Sequence, residues 1–276
     1  MLKVGFQGLR GAYSEMALKR YFGDRAEPFG FNEFEDVFTA LEKGLLDYGV
    51  LPLENTIAGT VTENYDMLLR YNVCMRGEVY LKIEHCLLGV PGAQLDGITA
   101  AYSHPHALKQ CRRFCKEHNI MQIPKFDTAG SSAFVAEEGN LFHAGIASSL
   151  CAEIYNMVIL AEQIQANELN TTRFAVVRPG GMELEAVEYG AKTSLAFKAR
   201  HEPGMLLKCL KIFAEYGLNL TKLESRPIPD IPWEYIFYAD FEVGNGTVRG
   251  STKEALLRLR EQVLMLKLLG TYSKWT

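Results

Sequence analysis

Residues 2–23, LKVGFQGLRGAYSEMALKRYFG, carry the pattern on which the fold rests. An apolar strand runs into a turn with Gly5, Gly8 and Gly11, and a helix follows from Ser14. Strand, glycine turn and helix form the repeating step of an α/β protein. The same step recurs outward. FGFNEF (29–34) reads as a strand, and 35–47 as a helix with Val37, Leu41 and Leu45 on one face. YGVLPLEN (48–55) is a strand, 62–72 a helix, and Cys74–Val90 rich in strand. ITAAYSH (98–104) leads into one helix over 105–119, and IMQIPKFD (120–127) into a helix from Gly130. HAGIAS (143–148) and a short helix follow, then strands at 158–164 and 171–179. This alternation predicts a mainly parallel, three-layer α/β architecture.

The pattern changes after a linker near 178–190. Strands at 192–200, 219–227, 233–243 and 264–275, with helices at 204–217 and 252–262, give the order βαββαβ. That is the ferredoxin-like arrangement. Pro227, Pro229 and Pro232 interrupt the turn between its middle strands.

The 276 residues are 48% hydrophobic and 22% charged, with a formal net charge of −4. Such a chain lacks the basic footprint of a nucleic-acid binder. It has no apolar run long enough to span a bilayer, and its start lacks the pattern of an export signal. A cytoplasmic location is expected. The six cysteines are then expected as free thiols. Cys111 and Cys115, near His118, fit a core stripe better than a zinc site, because no second ligand pair has the usual spacing. His104 and His106 read as loop and cap residues.

Four polar segments could carry chemistry. The glycine turn of 8–15 could receive an anion at a helix N-terminus or serve only as a tight turn. Its G-x-x-G-x-x-G spacing lacks the tight pair of a dinucleotide fingerprint. Glu54, Asn55 and Thr56 follow a strand end and offer hydrogen bonds or helix-entry chemistry. Ala129, Gly130 and Ser131 lie in DTAGSSA (127–133), an anion site or an N-cap. Thr172 and Arg173 precede a strand, where Arg173 could hold a carboxylate or form a structural ion pair.

The ordered motifs GLRGAYSE (8–15), PLENTIAGTV (52–61), SHPHALKQC (103–111), DTAGSSA, 146–165 and NTTRF (170–174) resemble the prephenate dehydratases. Residues 202–227 resemble the effector segments of an ACT domain. The resemblance implies a two-lobed catalytic domain over 1–184, similar to type 2 periplasmic binding proteins. Lobe one would hold 1–75 and 160–184, and lobe two 76–159. An ACT regulatory domain would follow over 190–276. It implies decarboxylating dehydration of prephenate without metal or other cofactor. Thr172, Arg173 and Phe174 would be the catalytic motif. Ser14, Glu54, Asn55, Thr56, Ala129, Gly130 and Ser131 would bind substrate. L-Phenylalanine would bind between subunits of a homo-oligomer, at Pro203, Gly204, Met205, Leu206, Leu207, Asn219, Leu220, Glu224, Ser225, Arg226 and Pro227. Met205 departs from the usual Gly-Ala-Leu-Val and could reshape that pocket. Arogenate dehydratase and a non-catalytic amino-acid sensor are the alternatives on this scaffold. An NAD-dependent prephenate dehydrogenase fits the glycine spacing poorly. Because the catalytic pattern begins at residue 1, the preceding pathway step is expected from another protein.

Overall fold

The computed structural model describes residues 1–184, 192–228, 233–243 and 251–274. Part of the expected linker, and Pro229 and Pro232 of the interrupted turn, lie outside the described residues. In chain order the first elements are β1 (Leu2–Gln7), α1 (Tyr13–Phe22), β2 (Ala26–Phe31), α2 (Phe34–Glu42), β3 (Tyr48–Asn55), β4 (Gly59–Thr60), α3 (Thr62–Arg70) and β5 (Val73–Lys82). Next come β6 (Cys86–Gly89), β7 (Ala100–Ser103), α4 (Pro105–Gln110), α5 (Arg112–Glu117), β8 (Met121–Pro124), α6 (Thr128–Glu138), β9 (His143–Ala147), α7 (Leu150–Ile154), β10 (Val158–Ala161) and β11 (Thr171–Pro179). The last are β12 (Lys192–Lys198), α8 (Met205–Glu215), β13 (Leu218–Pro227), β14 (Tyr235–Val243), α9 (Ser251–Gln262) and β15 (Met265–Tyr272).

Two compact units result. The first comprises Met1–Val37, Gly49–Val61 and Val79–Phe174. It contains two lobes, each built on its own sheet. Strand neighbours run β2-β1-β3-β11-β5 in one lobe and β8-β7-β9-β6-β10 in the other. In lobe one the last strand, β11, lies between β3 and β5; in lobe two the first strand, β6, lies between β9 and β10. The chain crosses between lobes twice, and the crossovers pair. Ile83 N–H donates to the Asn170 carbonyl at 2.8 Å, and Ile164 N–H to the His85 carbonyl at 3.0 Å. The lobe-two core buries Leu87, Leu88, Cys111, Cys115, Val135, Ile146 and Cys151.

Two helices differ from the sequence reading. The helix expected over 105–119 breaks at Cys111. The Gln110 carbonyl, which would continue the helix, instead accepts from Ala166 N–H at 2.9 Å on the second crossover. The helix expected from Gly130 opens at Thr128, because the Asp127 carboxylate caps it by accepting from Gly130 N–H.

The second unit comprises Phe38–Tyr48, Thr62–Glu78 and Ala175–Thr276. β12-α8-β13-β14-α9-β15 forms the ferredoxin-like sheet, with strands side by side as β13-β14-β12-β15. The apolar faces of α8 and α9 bury Cys209, Phe213, Leu256 and Leu259 against Leu195, Phe197 and Phe241 of the sheet. α3 packs in this unit too. Lys267 Nζ donates to the carbonyls of Leu68, Leu69 and Tyr71 at 2.8–2.9 Å, satisfying the open C-terminal end of α3. Gly270 meets Met75 where β15 runs parallel to β5. A Cβ on Gly270 would lie 2.3 Å from the Met75 carbonyl oxygen. Gly270→Ala is therefore expected to cost about 1–3 kcal/mol by overpacking, read as a lower urea midpoint with an unchanged slope.

Candidate active site

A cleft of about 610 Å³ lies in the first unit. β1 and β3 bring Gln7, Pro52 and Asn55 to it, and α1 brings Tyr13 and Ser14. The crossovers supply Ile83, His85 and Asn170, and β11 supplies Thr172 and Phe174. Lobe two contributes His104, His106, Gln110, Lys125, Asp127 and Thr128.

Its polar groups form a directed chain. Asn55 Oδ1 accepts from Ile57 N–H at 2.9 Å and from Ala58 N–H at 2.8 Å. Backbone donors cannot reverse, so the Asn55 amide orientation is fixed. Its Nδ2 donates to Asn170 Oδ1 at 2.8 Å and to Thr172 Oγ1 at 2.9 Å. Asn170 Nδ2 then donates to Gln110 Oε1 at 2.9 Å. Thr172 is thereby an acceptor from Asn55, and no acceptor for its own hydroxyl proton lies among the described residues. The Gln110 amide hydrogens likewise meet no acceptor among the described residues. The cleft therefore offers a hydroxyl donor and an amide donor to whatever occupies it.

Strand alternation sorts the TTRF segment. Thr172 and Phe174 line the cleft, whereas Arg173 is buried outside it, 3.9 Å from Glu54. Ser14 and Asn55 are in the cleft wall. Thr56 pins the loop: its hydroxyl donates to the Leu169 carbonyl and accepts from Thr171 N–H. Ala129 is buried in the lobe-two core. Gly130 N–H is taken by Asp127, and the Ser131 hydroxyl donates to the Asp127 carbonyl at 2.5 Å. Ala129, Gly130 and Ser131 therefore stand behind the wall that Asp127 and Thr128 present. The glycine turn serves the fold: Gly11 N–H donates to the fully buried Glu15 carboxylate at 2.7 Å.

The sequence reading missed Tyr13, His85, Gln110, Lys125 and Asn170. Asn170 carried a weak signal, a polar residue in a loop opening a strand. His85 carried none, sitting in a strand-rich stretch. His104 caps α4, as expected, but both it and His106 also face the cleft. Burial holds His85 below the ordinary imidazole range, partly offset by its bond to Gln110. His104 is also lowered, by burial and then by His106. Burial pushes the Cys86 and Cys151 thiols up to about 11, which leaves them protonated and unreactive at neutral pH.

In the second unit, Pro203 and Leu206 line a separate cavity of about 360 Å³ with Arg200, His201, Tyr235 and Phe237. Gly204 takes φ +82° to open α8. Met205 is buried and is not in the cavity wall, while Leu207 is exposed. Asn219, Leu220, Glu224, Ser225, Arg226 and Pro227 lie along β13. Arg226 pairs with Asp66 at 2.6 Å.

Fold and cleft together define a two-lobed α/β enzyme joined to a ferredoxin-like domain. Residues 4–181 match the sequence model of the prephenate dehydratases. Arogenate dehydratase/prephenate dehydratase 1, chloroplastic, from Arabidopsis thaliana is 37% identical over 285 residues, covering 98% of this chain and 72% of that protein. The solved structure of prephenate dehydratase in complex with L-Phe from Arthrobacter aurescens has a TM-score of 0.86 at 29% identity, covering 99% of this chain and 90% of that one. A structure described as GqqA, a novel type of quorum quenching acylase, has a TM-score of 0.90 at 30% identity, covering 99% and 98% of the two chains. The chain belongs to the prephenate dehydratase family, the lyases of phenylalanine biosynthesis. No helix among the described residues is long and apolar enough to cross a membrane.

Proposed function

We propose that the cleft performs the decarboxylating dehydration of prephenate with Thr172 as hydrogen-bond donor to the departing ring oxygen. The observation that carries this is the Asn55 amide on Thr172 Oγ1, which leaves the hydroxyl proton to face the cleft. The electron pair of the bond to the ring carboxylate moves into the ring as CO2 leaves. The ring electrons shift and expel the hydroxyl opposite, which departs as water with one proton from solvent. Aromatisation drives the step, so the protein has to orient the substrate and stabilise the leaving oxygen. A threonine hydroxyl is too weak an acid to act alone, and we assign it donation rather than full proton transfer.

Lys125 brings positive charge to the cleft wall, its Nζ 3.8 Å from the Phe134 ring centroid. It is the group placed to receive a substrate carboxylate. Lys125→Met should raise KM for prephenate about 5-fold, the worth of one exposed charge pair, with kcat nearly unchanged. An equal loss in kcat instead would place Lys125 in the chemical step.

Residues 1–184 act as the catalytic region and 190–276 as the ACT region, although Phe38–Tyr48 and Thr62–Glu78 pack with the latter. We assign L-phenylalanine binding to the ACT region of a homo-oligomer, supported by the L-Phe complex of the similar Arthrobacter protein. The test is phenylpyruvate formation by purified protein, with and without L-phenylalanine, and with arogenate in parallel. Turnover of prephenate is the expected result. Turnover of arogenate alone would change the substrate, and turnover of neither would favour an amino-acid sensor. A melting temperature and a rate both indifferent to L-phenylalanine would remove the regulatory assignment.

A further inference from the structure

The hydrogen-bond chain of the cleft continues beyond Gln110. His85 Nε2 lies 2.8 Å from Gln110 Oε1, and His85 Nδ1 lies 2.7 Å from the Tyr13 hydroxyl. The backbone fixes the polarity of the Gln110 contact from the far end. Ile57 and Ala58 N–H hold the Asn55 oxygen, so the Asn55 nitrogen faces Asn170. Asn170 must then accept at Oδ1 and donate at Nδ2. Gln110 must offer oxygen to Asn170, and that same oxygen faces His85. Only a donor fits there, so His85 carries its proton on Nε2. Its Nδ1 is then an acceptor, and the single Tyr13 hydroxyl proton is shared between it, at 2.7 Å, and the Glu84 carbonyl, at 2.9 Å.

The opposite tautomer has no consistent arrangement. An unprotonated Nε2 would meet Gln110 Oε1 as two acceptors in contact. Flipping Gln110 would set its nitrogen against the Asn170 nitrogen. Flipping Asn170 would set its nitrogen against Asn55, which two backbone donors hold in place.

The ring has little freedom to escape this choice. It is 3% exposed and sits on the first crossover. His85 N–H donates to Gln165 Oε1 at 2.7 Å, and its carbonyl accepts from Ile164 N–H. Tyr13 packs against it edge-on, with ring centroids 5.5 Å apart.

We propose that His85, as the Nε2–H tautomer, is a positioning residue that donates to Gln110 Oε1 and so holds the Gln110 amide donor toward substrate. Its assigned effect on turnover rests on the dehydratase reading above; its tautomer does not. Burial supports the same state by keeping the ring neutral at pH 7.

The test uses the full chain with His85→Leu and His85→Gln. A glutamine nitrogen reaches the place of Nε2 and restores donation to Gln110, whereas leucine fills the volume alone. His85→Leu should lower kcat about 10- to 100-fold, the effect of one misplaced buried hydrogen bond, with a smaller change in KM. His85→Gln should recover most of that loss. Wild-type kcat in His85→Leu, or equal losses in both variants, would overturn the proposal. ¹⁵N NMR of the wild-type protein tests it without turnover, with the His85 signal assigned by its loss in His85→Gln. A protonated Nε2 and an unprotonated Nδ1 are expected; the reverse would overturn it even if both variants misfold. Failure of the wild-type protein to turn over prephenate would instead strike the dehydratase reading and leave the tautomer standing.

Discussion

Thr172→Val is expected to lower kcat for prephenate by about 10³-fold, the scale of one lost donor at a site of developing charge, while the fold survives. Valine keeps the shape of threonine and removes only the hydroxyl. Thr172 is buried at the edge of the cleft, so the substitution leaves no sizeable void. The Asn55 nitrogen loses one acceptor but keeps Asn170 Oδ1 at 2.8 Å. The structural cost is thus one unsatisfied donor, about 1–3 kcal/mol. Thr172→Ser, which keeps the hydroxyl, should restore the rate to within about 10-fold. Steady-state kinetics beside thermal melts separate the two effects. A valine variant with near-normal kcat would remove Thr172 from the mechanism.

Asn55→Asp is the second large effect, and it works through polarity alone. A carboxylate can still accept from Ile57 and Ala58 N–H, so the turn after β3 is kept. Its second oxygen then faces Asn170 Oδ1 and Thr172 Oγ1, two groups that now receive hydrogen bonds. The Thr172 proton swings toward the carboxylate and away from the cleft. The loss in kcat should approach that of removing the hydroxyl, about 10²–10³-fold. The double variant Asn55→Asp/Thr172→Val should be little worse than the poorer single one, because both remove the same donor. Losses that multiply would show that Asn55 acts on substrate by a separate route. The added negative charge should also raise KM for prephenate more than for arogenate, which carries an ammonium.

The fold was largely legible because periodicity is local. The strand at 48–55 and the βαββαβ order of the C-terminal region follow from neighbouring residues. The break at Cys111 was not legible, because it answers to Ala166, distant in sequence. The site divides the same way. Asn55 and Thr172 announce themselves as polar residues at strand ends. The outward turn of Arg173 is also readable in principle, since neighbours on a strand face opposite sides. Tyr13, His85 and Gln110 are different: their partners lie 72 and 25 residues apart, and nothing local marks an ordinary histidine as the pivot of a chain.

The placement of β11 between β3 and β5 has a consequence for synthesis. A ribosome releases β1, β2, β3 and β5 before the strand that joins them exists. Lobe two, from β6 to β10, is by contrast a continuous stretch and can close on itself first. The nascent chain should therefore carry a finished second lobe beside an open first one, with bare edges on β3 and β5, until residue 171 and its successors clear the exit tunnel. Edges of that kind invite wrong pairings and chaperone binding. Pauses in translation near residues 160–180 should thus matter more for yield than pauses elsewhere.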